Sequence, residues 1–311
     1  MKISVLIPAY NVAKTINKCL DSILSFKDEK LDIIVLNDAS FDNLDEVIVP
    51  YLDKITYIKN DKNEGIAKVR NKLIKKVKSD YFLFVDSDDY IDPLVFNHLF
   101  KAIKNNPDIV TFQIREESVD KEIIRVVSKP IGENIKGEDF LCSCINMKTT
   151  FDTPVAYLYK TSYFKKNKFL YKEGHRHEDF GLTPLVLAYA NKITSLDYVG
   201  YFYVQNSQSE TRGDEERIRN NAYDMLYHFD YLKEEIEKSN KVSDNTKKYF
   251  NSFLANSLLG TMTTLNLKDQ KDFVKKLRKR NVANMLLSNN IKRKIKKIIV
   301  LIRYQNYKYF L

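Results

Sequence analysis

Glycine is scarce in this chain: 311 residues contain eight. No two glycines are separated by a single residue, so the G-x-G-x-x-G dinucleotide fingerprint cannot occur, and no G-x-x-x-x-G-K-[ST] phosphate loop is present. Cysteine is rarer still. Cys19, Cys142 and Cys144 give no paired framework, and Cys142-x-Cys144 lacks the second ligand pair a zinc site needs. They read as packing residues of a reducing, intracellular chain. Long apolar runs are absent too: none approaches the roughly 20 residues that span a bilayer. The run at residues 3–7 stops at Pro8 without a cleavage-site pattern, so no signal peptide is expected.

Positive charge is present but unevenly placed. The chain carries 51 Lys and Arg against 41 Asp and Glu, a net charge of +10. Residues 268–311 hold fourteen Lys/Arg and two Asp, a balance of +12, which leaves the rest of the chain at −2. A basic surface spread over the whole protein, as a nucleic-acid binder would show, is therefore not expected.

The first hundred residues alternate strand and helix patterns. KISVLI (2–7), LDIIVL (31–36), residues 55–59 and YFLFV (81–85) read as strands, with a further strand at 108–112. Apolar residues at helical spacing mark helices near 15–24, 64–77 and 94–104, with Asn11 or Thr15 as candidate caps of the first. Continuous apolar strands alternating with helices predict a mostly parallel α/β sheet covered on both faces. Further on, the patterns predict a helix at 137–147, strands at 155–159 and 198–204, and a helix from Glu178–Asp179 to Ala190. Residues 217–237, 247–265 and 269–280 read as helices, so a boundary is placed at 213/214. This gives an α/β domain at 1–213, with halves 1–112 and 113–213, and a helical region at 214–311.

Acidic residues sit where such strands end. Asp86-Ser87-Asp88-Asp89 follows the strand at 81–85, and Asn37-Asp38-Ala39-Ser40 follows the strand at 31–36. Open parallel sheets bind ligands at their carboxyl ends, and carboxylates there suit Mg²⁺ or Mn²⁺. By themselves, the first segment equally fits an acidic turn and the second an Asx turn. Arg70, within GIAKVRN (65–71), reads alone as a solvated cation. His175 and His177 read as acceptor contacts, as a further metal ligand, or as a polar loop. The aromatics of 198–203 read as core rather than as a sugar platform.

Taken in order, these segments resemble glycosyltransferase family 2 enzymes of bacterial surface polysaccharide synthesis, which have the GT-A fold. The resemblance covers about residues 1–210. It rests on ISVLIPAYN (3–11), VLNDASFD (35–42), NEGIAKVRN (63–71), VDSDDYIDP (85–93), His177-Glu178-Asp179 and YFYVQNSQSET (201–211). It implies a GT-A (Rossmann-like) domain followed by the helical region. It further implies an inverting, metal-dependent transfer of a hexose from a UDP-sugar to a hydroxyl of a glycan acceptor, expected to be lipid-linked. On this resemblance Asp38 meets the uracil, framed by Pro8 and Tyr10. Arg70 helps fix the base or the diphosphate, and Ser87 belongs to the same nucleotide site. Asp86 and Asp88 hold Mn²⁺ or Mg²⁺, and Asp179 is the general base with Glu178 beside it. Two residues depart from the family pattern: Ala39 replaces a usual Gly, and Phe41 a frequent Ser or Thr.

The tail IKRKIKKIIVLIRYQNYKYFL (291–311) places Ile291, Ile295, Ile298, Ile299 and Ile302 on one helical face, with Lys and Arg largely elsewhere. Such a basic amphipathic segment fits an anionic membrane surface, or else docks on its own domain. The expected setting is cytoplasmic and peripheral to the inner face of the cell membrane, with no nucleic-acid partner and with self-association through the C-terminal helices. The competing readings are an inactive nucleotide-sugar-binding scaffold and a basic-tail nucleic-acid binder. The intact Asp86, Asp88 and Asp179 argue against the first, and the acidic strand ends go unexplained by the second.

Overall fold

The computed structural model describes residues 1–118, 122–205, 214–288, 292, 293 and 295. The chain divides into two compact units, Met1–Ser207 and Gln208–Leu311. Ten strands of the first unit form one sheet: β1 (Ile3–Ala9), β2 (Leu31–Asn37), β3 (Thr56–Lys59), β4 (Tyr81–Phe84), β5 (Tyr90–Ile91), β6 (Ile109–Ser118), β7 (Ile123–Val127), β8 (Gly132–Ile135), β9 (Tyr157–Lys160) and β10 (Ile193–Gln205). Helices α1 (Ile16–Leu24), α2 (Leu44–Val47), α3 (Ile66–Lys76), α4 (Val95–Ala102), α5 (Gly137–Met147), α6 (Thr161–Lys166) and α7 (Thr183–Ala188) connect them.

The strand order is β3-β2-β1-β4-β9-β6-β10-β5, with β7 on β6 and β8 on β10. The α/β architecture expected from the sequence is present, and its parallel part is the block β3-β2-β1-β4. Beyond it β9 runs antiparallel to β4 and β6, while β6 and β10 are parallel to each other. β1 and β4 are buried at every residue, which is why their sequences run apolar without alternation. From β1 the chain winds outward through β2 to β3, then returns to place β4 on the other side of β1. That reversal opens a crevice at the carboxyl ends of β1 and β4, where open α/β sheets take their ligands.

Pro8 is tolerated inside β1 because it lies beyond the last β1–β4 pair, Leu6↔Phe84, so its missing N–H removes no bond to β4. Helix α1 buries Ile16, Cys19, Leu20 and Ile23, a single i, i+3, i+4, i+7 stripe. Thr15 precedes it without a side-chain cap bond, and Asn11 sits in a left-handed turn at φ 54°. Gly65 starts α3 at φ 84°, where a side chain would be strained, and Val77 ends it in extended conformation.

The helix expected from Glu178 to Ala190 is shorter. α7 begins only at Thr183, with Pro184 in its first turn, and His177 at φ 57° belongs to a turn closed by Gly181 N–H on the His177 carbonyl. Proline has no N–H to give to a preceding helical turn, so it starts a helix here rather than continuing one. Glu178 and Asp179 therefore sit on a loop.

The second unit contains α8 (Glu215–Lys238), α9 (Asp244–Thr264) and α10 (Leu267–Lys279). Each is capped by the preceding side chain, in turn Asp214, Ser243 and Asn266, accepting the N–H of the third residue on. Their inward faces supply a local core that includes Phe229, Leu232, Phe250, Leu254, Phe273 and Leu277. No described helix is long and apolar enough to cross a membrane. The amphipathic tail expected at 291–311 lies outside the described residues apart from Lys292, Arg293 and Ile295.

Candidate functional site

Three strand ends converge on the crevice: Tyr10 after β1, Asp38 after β2 and Asp86 after β4. Pro8 is buried within β1, so Tyr10 is the member of that pair that reaches solvent. Asp38 is buried, and its carboxylate binds the chain segment ahead of α3. Oδ1 accepts the Asn60 side-chain amide at 2.7 Å, Oδ2 accepts Gly65 N–H at 2.9 Å, and both share Glu64 N–H. Two hydrogen bonds thus reach each oxygen, and the Glu64 N–H is the one shared between them. Lys72 extends the network by donating to Asn60 Oδ1 at 2.8 Å and pairing with Glu64.

Ala39 adopts φ 58° in the turn after Asp38. The backbone there is left-handed, so the residue that departs from the usual glycine adopts a glycine conformation nonetheless. Such a conformation costs an L-residue about 1–2 kcal/mol.

Arg70 is the hub of the site. It is not the solvated cation its local sequence suggests: its side chain is 6% exposed, because it shares the inward stripe of α3 with Ala67 and Ile74. One guanidinium nitrogen donates to Asp86 Oδ1 at 2.9 Å and the other to Glu178 Oε1. The guanidinium also lies over Phe84 and Tyr171, at 5.6 and 5.8 Å from the ring centroids. Burial works against its charge, but Asp86 and Glu178 outweigh that and raise its pKa. Glu178 is buried as well. Burial pushes its carboxyl up while Arg70 pulls it back down. The neighbouring Asn71 fixes the loop under this pair. Its amide accepts Tyr171 N–H and donates to the Tyr171 carbonyl, both at 2.9 Å.

The acidic segment after β4 divides its roles by burial. Asp86 and Asp88 are half-buried, whereas Ser87 and Asp89 are buried. Asp89 faces inward: it accepts Tyr201 O–H at 2.6 Å and Val204 N–H at 2.8 Å from β10. Tyr201 in turn accepts Asp86 N–H at 3.2 Å, so one buried phenol on β10 sets the shape of the whole turn. Tyr201 is therefore core, as read from the sequence, but core with a positioning task. Burial and the charges of Asp88 and Asp86 raise Asp89 well above the ordinary carboxylate range, and burial with the same three carboxylates raises the Cys19 thiol. Three carboxylates thus gather in one short turn, two of them half-buried at the crevice. An oxygen-only donor set of this kind fits a hard divalent cation. Among the described residues no three His, Cys, Asp or Glu side chains form a metal cage, so Asp86 and Asp88 would supply part of a coordination shell and a bound ligand the rest.

Across the crevice, Asp179 is half-buried, and its Oδ1 accepts Phe180 N–H at 2.7 Å. Its backbone carbonyl accepts the Leu182 and Thr183 N–H groups, anchoring the start of α7. His175 and His177 are half-buried on the same loop and belong to no described metal cluster. Asp152 was not anticipated from the sequence: burial, then the charge of Asp179, push its carboxyl up to about 6. Asp89, Tyr201 and Asn71 were also missed. Asp89 could have been suspected as the third acid of DSDD, and Asn71 from its place beside Arg70; nothing local marks Tyr201 or Asp152.

The sequence pattern of glycosyl transferase family 2 matches residues 4–168. An uncharacterized glycosyltransferase of Bacillus subtilis, EpsJ, is 30% identical over 223 residues, which are 67% of this chain and 62% of that protein. The poly(ribitol-phosphate) beta-glucosyltransferase of Bacillus spizizenii is 30% identical over 217 residues, covering 66% of this chain and 32% of that protein. This chain thus spans less than two thirds of either relative. Among solved structures, residues 1–349 of TarS from Staphylococcus aureus, in complex with UDP-GlcNAc, superpose with a TM-score of 0.70 at 20% identity, covering 92% of this chain and 81% of that one. The shared fold is the GT-A architecture.

Two stability predictions follow from the charges. Arg70→Met should leave Glu178 buried without a partner and cost about 3–5 kcal/mol, read as a lower urea midpoint. Folded Asp152 holds its proton more tightly than the unfolded chain does. Its contribution is therefore complete below the ordinary aspartate pKa and is lost as pH rises through about 6. Asp152→Asn lacks that loss, so between about pH 4 and 7 it should gain on the wild type by on the order of 2 kcal/mol, measured by urea unfolding at both pH values.

Proposed function

This chain belongs to glycosyl transferase family 2, and from that premise we propose that it is an inverting, metal-dependent enzyme that moves a hexose from a UDP-sugar to a hydroxyl of a glycan acceptor, in assembly of a bacterial surface polysaccharide or glycoconjugate. The observation that carries the reading is the Arg70 bridge. It joins the acidic turn after β4 to the Glu178–Asp179 loop, holding a cation-seeking edge and an open carboxylate on one crevice. The relation to poly(ribitol-phosphate) and TarS-type proteins supports the pathway class and a UDP-sugar donor.

The chemistry asks little of the protein beyond charge and position. Asp179 takes the proton of the acceptor hydroxyl as its oxygen attacks the anomeric carbon, and the bond from that carbon to the diphosphate oxygen breaks. A single displacement on the face opposite the leaving group inverts the anomeric configuration. Mn²⁺ or Mg²⁺ held by Asp86 and Asp88 would neutralise charge on the departing diphosphate. Glu178, locked on Arg70, orients the loop that carries Asp179. Asp38 would meet the base by releasing one half of the Glu64 N–H that its two oxygens share, and Tyr10 flanks the ring. His175 and His177 sit on the acceptor side of the same loop. Arg70 positions Asp86 and Glu178 through its two terminal nitrogens and so supports the diphosphate end of the site. The basic tail, residues 291–311, would keep the enzyme on the anionic cytoplasmic face of the membrane, near lipid-linked acceptors.

Asp179→Asn should lower sugar transfer by about 10²–10⁴-fold while UDP binding stays within about twofold, whereas Asp88→Ala should weaken Mn²⁺-dependent UDP binding. Product formation from a panel of UDP-sugars, with UDP titrations alongside, checks both, and wild-type transfer by Asp179→Asn would remove the base assignment. Deleting residues 291–311 should release the protein from vesicles containing anionic lipid, as read by co-sedimentation.

A further inference from the structure

Phe41 is a large apolar side chain left 82% exposed in a loop of the catalytic unit. Its ring meets that of Tyr10, itself 41% exposed, edge-to-face at 6.1 Å and 84°. The two rings form an open corner at the carboxyl ends of β1 and β2, with Asp38 only three residues before Phe41.

The corner is built, not loose. Phe41 N–H donates to Asn11 Oδ1 at 3.1 Å, and Asn11 N–H donates to Ser40 Oγ at 2.9 Å. Ala13 N–H donates to Asp42 Oδ2 and Ser40 N–H to Asn37 Oδ1, both at 2.8 Å. Asn11 and Ala39 hold left-handed backbone at φ 54° and 58°, and strained residues of this kind persist where the surrounding structure enforces them. Two turns are thus clamped together so as to present two aromatic rings to solvent.

We propose that Phe41 is a specificity-determining residue that, with Tyr10, forms an aromatic corner for the nucleobase of the donor. The inference rests on the reading of the crevice as a nucleoside-diphosphate-sugar site and adds to it a contact made by a residue of this chain. A planar heterocycle laid on one ring meets the other nearly at right angles, the two arrangements aromatic groups favour. The neighbouring Asp38 carboxylate, whose oxygens share one N–H between them, can release half of that bond and so suits a ring with a polar, hydrogen-donating edge over a plain apolar group. The acidic turn after β4, on the far side of β1, takes the charged end of the same ligand.

The test compares UDP with pyrophosphate, each titrated with Mn²⁺ into the full-length protein by calorimetry. Phe41→Ser should weaken UDP binding about tenfold, in line with loss of one base-stacking contact, and leave pyrophosphate binding within about twofold. Phe41→Leu should lose as much as Phe41→Ser, and Phe41→Tyr should bind UDP as the wild type does. Unchanged UDP binding in Phe41→Ser, equal weakening of UDP and pyrophosphate, or full affinity in Phe41→Leu would each overturn the aromatic corner while leaving the donor site standing. A wild-type protein that binds neither UDP nor pyrophosphate would instead remove the donor-site reading and this inference with it.

Discussion

The structure depends on one buried cation. Arg70 lies on α3, Asp86 at the end of β4 and Glu178 on a loop more than a hundred residues away, and a single guanidinium joins all three. Burying such a group is costly unless its donors find charged acceptors. Here each terminal nitrogen has one, and the flat faces of the group are lined by Phe84 and Tyr171. Without this cation, Asp86, Asp88, Asp89, Glu178 and Asp179 would face one another across the crevice with mutual repulsion and little screening. With it, the turn after β4 and the loop before α7 become one electrostatic unit. Tyr201 and Asn71 extend that unit into the core, one holding Asp86 and Asp89 from β10, the other holding Tyr171 under the guanidinium.

The bridge also separates the two acids of the Glu178–Asp179 pair. Glu178 is buried and engaged with Arg70, so it cannot also receive a proton from an acceptor without giving up the pairing that makes its burial tolerable. Asp179, one residue on, keeps solvent access, and its carboxylate takes only a local backbone N–H. Adjacent residues of nearly the same chemistry thus diverge in role because one points to the hub and the other to the crevice. The Asp152 carboxyl is pushed up to about 6 by burial and then by the charge of Asp179, so the two acids of this side of the crevice are coupled through space.

Much of this was legible before any coordinates. The strands of the parallel block follow from unbroken apolar runs, and the helices of the second unit from their sequence pattern, while the caps at Asp214, Ser243 and Asn266 emerge only from the structure. The acidic strand ends were equally visible. Local pattern could not show what a charge meets in space. Arg70 occupies the Ala67–Ile74 stripe of α3, a position that marks a buried side chain, but its two partners lie 16 and 108 residues away. The expected helix from residue 178 is shorter because the residues ahead of Thr183 form turns, with Gly181 N–H on the His177 carbonyl and Leu182 and Thr183 N–H on that of Asp179, and Pro184 starts the helix proper. Tyr201 was read as core from composition, and only the fold shows that its hydroxyl reaches two groups of the acidic turn. Asp152 had no local signal, because its character comes from burial and from Asp179.

The uneven charge of the chain takes on a definite meaning in this setting. A site built around surplus carboxylates is poorly served by a strongly cationic protein body, since a dense positive surround would compete for Asp86 and Asp88 and lower the pull on a divalent cation. The body outside residues 268–311 carries −2, and the +12 lies in a stretch beginning near α10. Within the first unit the cation paired with the acidic turn is the buried Arg70, which joins Asp86 to Glu178. Segregating the basic residues along the sequence therefore leaves residues 1–267 near neutral, so the acidic turn after β4 is not set in a chain segment of strongly opposite charge.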